Sequence, residues 1–319
     1  MKKISILFAL IFTIAGKSQG QVTVNMTDEN VNPDYFEFHI PFLELDFARA
    51  NSTFFADFGG RLKVKGFYAD LNYRISYVNG LEETYYTVNE PTANSIYDYK
   101  APKEFKAMFG YMVMQRETPT TITFHLKSQG QTNYVTKVAS KKTSFVMVDL
   151  GIRKGFNWVY CGDKDLKFEG VDVPEGFVAP EPEAVRTMMD YTMLQVGISA
   201  GSLGFYKANI STYGDRRAEK SVRYYLDALF LLGSKVDDIY SENTLNGFNA
   251  TTTLYTRYKL DGSPRSRVGA CLGAEMTNIS RFGFNGGLEA AYIPGIKGSF
   301  GSNFCLTIRS SISIAKILN

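Results

Sequence analysis

Phe67-Tyr68-Ala69-Asp70-Leu71-Asn72-Tyr73-Arg74-Ile75-Ser76-Tyr77 decides how this chain folds. Phe67, Ala69, Leu71, Tyr73, Ile75 and Tyr77 occupy one set of alternate positions. Tyr68, Asp70, Asn72, Arg74 and Ser76 occupy the other. Successive side chains of a β-strand point to opposite faces, so this strand has one apolar face and one polar, charged face. The run is about twice the usual ~5–6 residues of a globular strand and fits the ~9–11 residues of a tilted membrane strand.

Outward from this stretch the alternation returns at similar length. It appears at Phe248–Leu260, Val268–Thr277, Phe282–Tyr292 and Phe304–Ile314. Further candidate strands are Phe105–Val113, Ile122–Leu126, Val146–Ile152, Leu194–Ala200 and Val222–Phe230. In residues 35–48 the phase switches: Phe36, Phe38, Ile40 and Phe42 are followed by Leu43, Leu45 and Phe47, with Pro41 just before the switch. Proline donates no ladder hydrogen bond, so a bulge or an edge is expected there. Aromatic residues make up 14% of the chain, and several stand at the ends of the runs: Phe67, Tyr77, Tyr258, Phe282, Tyr292, Phe304. An aromatic ring suits a membrane–water interface, where one side is apolar and the other wet.

The N-terminus carries a second signal. Lys2 and Lys3 precede the apolar run Ile4–Ala15, and Ser18 and Gly20 follow it. This is the layout of a secretory signal peptide over residues 1–20, with cleavage after Gly20. The run is too short to cross a bilayer as a helix, which takes ~20 residues. With Lys2, Lys3 and Lys17 removed, the 35 basic residues fall into balance with the 32 acidic ones. A neutral chain without charge blocks gives no reason to expect a nucleic-acid partner. Residues 21–34 read as a flexible polar leader, and 35–319 as a single domain.

On the strand runs and the export signal, the chain resembles the broad class of Gram-negative outer-membrane β-barrel proteins, from about Tyr35 to the end. The chain ends Lys316-Ile317-Leu318-Asn319, without the terminal aromatic common in that class. The resemblance implies an all-β antiparallel transmembrane barrel of about 12 strands, or 14, located in the outer membrane and embedded in its lipid. The polar face then supplies lumen-facing candidates: Asp70, Arg74, Arg223, Asp227, Arg257, Glu275, Glu289 and Arg309. Asp70 near Arg74, and Arg223 near Asp227, are expected to pair. Three long connections, 80–102, 161–189 and 232–246, interrupt the pattern and are expected as exposed loops or a lumen plug. The first two are the expected surfaces for envelope partners, and Glu181–Met189 has the makings of a short helix.

Chemistry is sparse. The two histidines, His39 and His125, sit in strand patterns. His125 and Ser128 are three residues apart and so on opposite faces of a regular strand, out of reach for a nucleophile and its base. Asp163, Asp165 and Glu169 lack the calcium-loop frame. The three cysteines match no zinc spacing, although Cys271 and Cys305 lie in strands that would let them pair if adjacent. No catalytic residue, metal or cofactor is expected. The expected function is passive or structural: a narrow, mixed-charge lumen for small solutes, or a barrel that holds external loops. The alternatives are an accessory subunit of a secretion or attachment complex, a barrel-embedded lipid hydrolase, and a soluble exported β protein.

Overall fold

A computed structural model describes residues 22–48, 52–79, 101–129, 132–161, 169–170, 185–236, 239–246, 251–259, 266–279, 281–295 and 303–318. The signal-peptide residues lie outside this set, as do Asp163, Asp165 and most of the three long connections. The described strands are β1 (Val24–Asn30), β2 (Asp34–Ala48), β3 (Ser52–Val64), β4 (Phe67–Asn79), β5 (Lys103–Gln129), β6 (Thr132–Cys161) and β7 (Glu169–Gly170). They continue with β8 (Val185–Ile210), β9 (Gly214–Val236), β10 (Ile239–Asn246), β11 (Thr251–Lys259), β12 (Val268–Met276), β13 (Gly283–Tyr292) and β14 (Phe304–Leu318).

Ten of them form a ring. Its order is β8-β6-β5-β4-β3-β2-β14-β13-β12-β9, and β9 pairs back onto β8 to close it. Every pairing is antiparallel. Closure leaves the ring no edge strand, the condition for a sheet to stand in lipid, where backbone groups find no water. β10, β11 and β7 form a separate small sheet outside the ring.

The wall is inside-out relative to a soluble protein. Phe67, Leu71 and Tyr77 on β4 are 65%, 46% and 56% exposed, whereas Asp70 and Arg74 between them are 3% and 6% exposed. A soluble sandwich buries the apolar face; this one buries the charged face. Phe67 packs beside Tyr111 at one end of the wall, with ring centroids 4.9 Å apart, and Phe54 beside Tyr77 at the other, at 6.2 Å. The phase switch in β2 is a bulge: Ser310 pairs with Leu43 and Ser311 with Pro41, so Phe42 is the extra residue.

The two ends of the ring differ. At one end the connections are tight, as in the Lys65–Gly66 turn, where both residues have positive φ (48° and 87°). That combination is the two-residue hairpin turn whose twist matches the strands. At the other end the chain leaves β4 at Asn79, β6 at Cys161 and β9 at Val236 for its long connections.

Several elements are longer than the sequence pattern suggested, and some candidate runs merge into one strand. Phe105–Val113 and Ile122–Leu126 are one strand, β5, of 27 residues. Pro119 falls inside it. Beyond Tyr111 the neighbouring β4 has ended, so Pro119 lies where only β6 pairs with β5, and the ladder tolerates a proline at such an edge. Val185–Met189 is strand, not helix, because it pairs with Asn157–Cys161 of β6. Leu232–Val236 and Ile239–Asn246 are likewise strand.

The surplus length builds a head at the tight-turn end. Met114–Gln129 and Thr132–Val146 run on as a hairpin, on the order of 50 Å at ~3.3 Å per residue. Leu203–Ile210 and Gly214–Ser221 make a second hairpin. Residues 21–34, expected as a flexible leader, instead supply β1, which pairs with Phe205–Ile210. Val24 and Met26 explain this: they pack on a core of Ile122, Phe124, Tyr206, Ala208 and Ile210. Shaving that core by Ile122→Val is expected to cost ~0.5–1.5 kcal/mol. Limited proteolysis is expected to cut the head of the variant faster, with the barrel left intact.

Candidate functional site

The candidate site is the interior of the ring, where charged side chains from all round the wall converge. Each arrives there by the alternation, since a strand with its apolar residues outward must aim the intervening residues inward. Arg61 on β3 donates to Asp70 at 3.0 Å and to Glu275, four strands away on β12, at 2.9 Å. Arg74 on β4 meets Glu44 at 3.1 Å, Asp46 at 2.9 Å and Glu104 at 3.2 Å, with its guanidinium over the Phe55 ring. Arg223 donates to Asp149 at 3.0 Å. Arg309 reaches Glu44 at 3.1 Å.

Glu289 on β13 is the hub. Arg153 grips both its oxygens, at 3.0–3.1 Å, in the forked geometry that suits guanidinium and carboxylate. The Tyr225 hydroxyl donates to it at 2.6 Å, and the Arg309 guanidinium lies 3.6 Å away. The Lys106 ammonium lies 3.8 Å from it. Lys106 stands on β5, five strands from β13 in a ring of ten, which is as far apart as two strands can be. Their meeting spans the lumen. Gln195 extends the cluster, accepting from Arg153 Nε at 2.7 Å and donating to Asp227. Gly197 makes room for that carboxylate: a Cβ there would collide with Asp227 and the Leu226 carbonyl.

Seven of the eight sequence candidates, Asp70, Arg74, Arg223, Asp227, Glu275, Glu289 and Arg309, sit in this interior network. Arg257 stands on β11, outside the ring, and its side chain is not among those described. The expected same-strand pairs do not form. Residues four apart on a strand stand ~13 Å apart, so each charge finds a partner on another strand. Asp70 takes Arg61, Arg74 takes Glu44, Asp46 and Glu104, Arg223 takes Asp149, and Asp227 takes Gln195. The sequence reading passed over Glu44, Asp46, Arg61, Glu104, Lys106, Asp149 and Arg153. Their signal was present for most of them, which alternate with apolar neighbours, as in Glu44-Leu45-Asp46-Phe47; Glu104 and Arg153 each have a lysine on one side, Lys103 and Lys154.

Cys271 and Cys305 are free and buried. Both face Ala291 from opposite sides of β13, two strand spacings apart. That is ~9.5 Å, beyond the ~7 Å limit for a disulfide. His39 lies inside the ring, 3.9 Å from Asp57. His125 is exposed on the head, and the nearby Ser128 hydroxyl donates to Asn133 at 2.7 Å.

Arg216, Arg217 and Lys220 lie on β9 in the head. Lys220 donates to Thr120 and to the Thr121 carbonyl, both at 2.8 Å, and so ties the two hairpins together. Partial burial, with Lys142 nearby, pulls its ammonium below the ordinary lysine pKa. Burial, with Glu29 nearby, pushes the Tyr206 hydroxyl up to about 12. That hydroxyl donates to the Lys141 carbonyl and stays protonated at any ordinary pH.

The wall, its exposed apolar belt and its charged interior make one architecture. The chain has the build of an outer-membrane β-barrel. No protein-family model matches the sequence, and no curated protein matches it. Among solved structures, the toluene transporter TbuX of Ralstonia pickettii aligns at 9% identity and a TM-score of 0.26, over 90% of each chain. A TodX deltaS2S3 mutant, described as a monoaromatic hydrocarbon channel, aligns at 7% identity and a TM-score of 0.23, over 90% of this chain and 91% of that one. The barrel assignment rests on the chain's own strand ladder.

Proposed function

We propose that this protein is an outer-membrane barrel with a sealed interior that serves as a scaffold. It holds the long connections 80–102 and 162–184 on the outside of the cell and the β-sheet head in the periplasm. The orientation follows from the ring's two ends, because outer-membrane barrels keep short turns periplasmic and long loops external. The loops and the head are the surfaces for envelope partners, which makes the accessory-subunit role the natural extension of the scaffold.

The observation that carries this reading is the contact of Lys106 with Glu289 across the full width of the ring. A barrel of about eight strands is just wide enough for side chains to fill, whereas 16–18 strands leave an aqueous channel. Ten strands filled by long, paired arginines fall with the former. Taking these charges out of water is costly, and the cross-strand partners offset that cost.

The test is solute release from vesicles carrying the folded protein. Retention of an entrapped small ion at the level of protein-free vesicles supports the scaffold. Steady efflux proportional to the amount of folded protein overturns it in favour of a small-solute pore.

A further inference from the structure

A concavity of about 570 Å³ lies on the outer side of the described wall, at the long-connection end. It is built in register. Lys103, Phe156, Asp190 and Lys235 pair in one row across β5, β6, β8 and β9. Phe105 and Lys154 pair with each other in the next row. Cross-strand partners share a face, so both rows look outward, as the exposed Phe105 shows. The lysine ammonium of Lys103 stands 5.1 Å over the Phe156 ring. Below this level the same strands present only apolar side chains outward, such as Phe109, Leu150, Ile152 and Val196. The lysines thus mark the height at which hydrocarbon gives way to headgroups.

We infer that this concavity binds the phosphate-bearing headgroup of an outer-leaflet glycolipid. The inference rests on the membrane-barrel reading above, which places this end of the wall in the outer leaflet. Three lysines against one aspartate leave two net positive charges where headgroup phosphates lie. Lysine stems lie along apolar wall while their ammonium heads reach the interface, and an ammonium binds phosphate as a compact point charge. Phe105 and Phe156 give the acyl-proximal part of the headgroup an aromatic floor. A soluble anion would have no use for a site opening sideways into the hydrocarbon belt.

The probe is a bis-phosphorylated glycolipid of the lipid A type, titrated onto the full-length protein in mild detergent and read by native mass spectrometry. Lys103→Ala/Lys154→Ala/Lys235→Ala is expected to weaken binding about tenfold or more. Lys103→Arg/Lys154→Arg/Lys235→Arg is expected to keep it, since the charge is retained. Equal binding by the alanine variant overturns the inference, and so does displacement of the glycolipid by inorganic phosphate at matching concentration. Each sample is also run unboiled and boiled on a gel. A heat-dependent shift in all variants confines a failure to this site, whereas no shift in any of them is a failure of the barrel itself.

Discussion

Glu289→Ala is expected to destabilise the folded barrel by about 3–5 kcal/mol, the cost of breaking a buried charge pair by removing one partner. Glu289 takes both arms of Arg153 and a hydrogen bond from Tyr225, with Lys106 and Arg309 close by. Its removal leaves a fully buried guanidinium facing an ammonium with the shared carboxylate gone. The reading comes from denaturant unfolding in bilayers, followed by the loss of the compact gel band. Replacing both partners, as Arg153→Met/Glu289→Leu, is expected to cost less than the single change, because no orphaned charge remains from that pair. A loss under ~1 kcal/mol for Glu289→Ala means that water already reaches the group, which contradicts a sealed interior.

The second large effect is on the other face. Leu150→Arg is expected to cost about 2–4 kcal/mol in a bilayer, the range for arginine at the midplane of a barrel's lipid face. Leu150 is exposed, and its register partners are Phe109 and Val196, also exposed and apolar. A soluble protein accepts such a surface change within about ±0.5 kcal/mol. Thr123→Arg, in the head and beyond the hydrocarbon, is expected to stay within that smaller range. Equal effects of the two changes would sink the membrane placement of the wall.

How much of this was legible beforehand depended on which rule governed each segment. Where a strand had a ring neighbour on both sides and lipid outside, as at Phe67–Tyr77, alternation alone gave its position and facing, because burial of one face leaves the register no freedom. The bulge beside Pro41 was legible for the same reason. The head was not. Arg116-Glu117-Thr118-Pro119 separates the candidate runs Phe105–Val113 and Ile122–Leu126, and only the absence of β4 beside it makes this stretch an edge where proline is tolerated. β1 looked like a leader because Asn25, Asp28, Glu29 and Asn30 dominate its composition, and the two hairpins it packs on are distant in sequence.

The same divide runs through the site. That Asp70, Arg74, Glu275 and Glu289 point inward followed from period two. Their partners did not, because ion pairing inside a barrel is set by the strand order and stagger of the whole ring. Arg61 meets Glu275 only because β3 and β12 face each other across the lumen.

The most direct measurement of the central claim is the gel mobility of the full-length protein from the outer-membrane fraction, unboiled against boiled. The account predicts that the protein is in that fraction and migrates as a compact band that converts to its full-length position only on heating. Recovery in the soluble periplasmic fraction, with one position in both lanes, would contradict it.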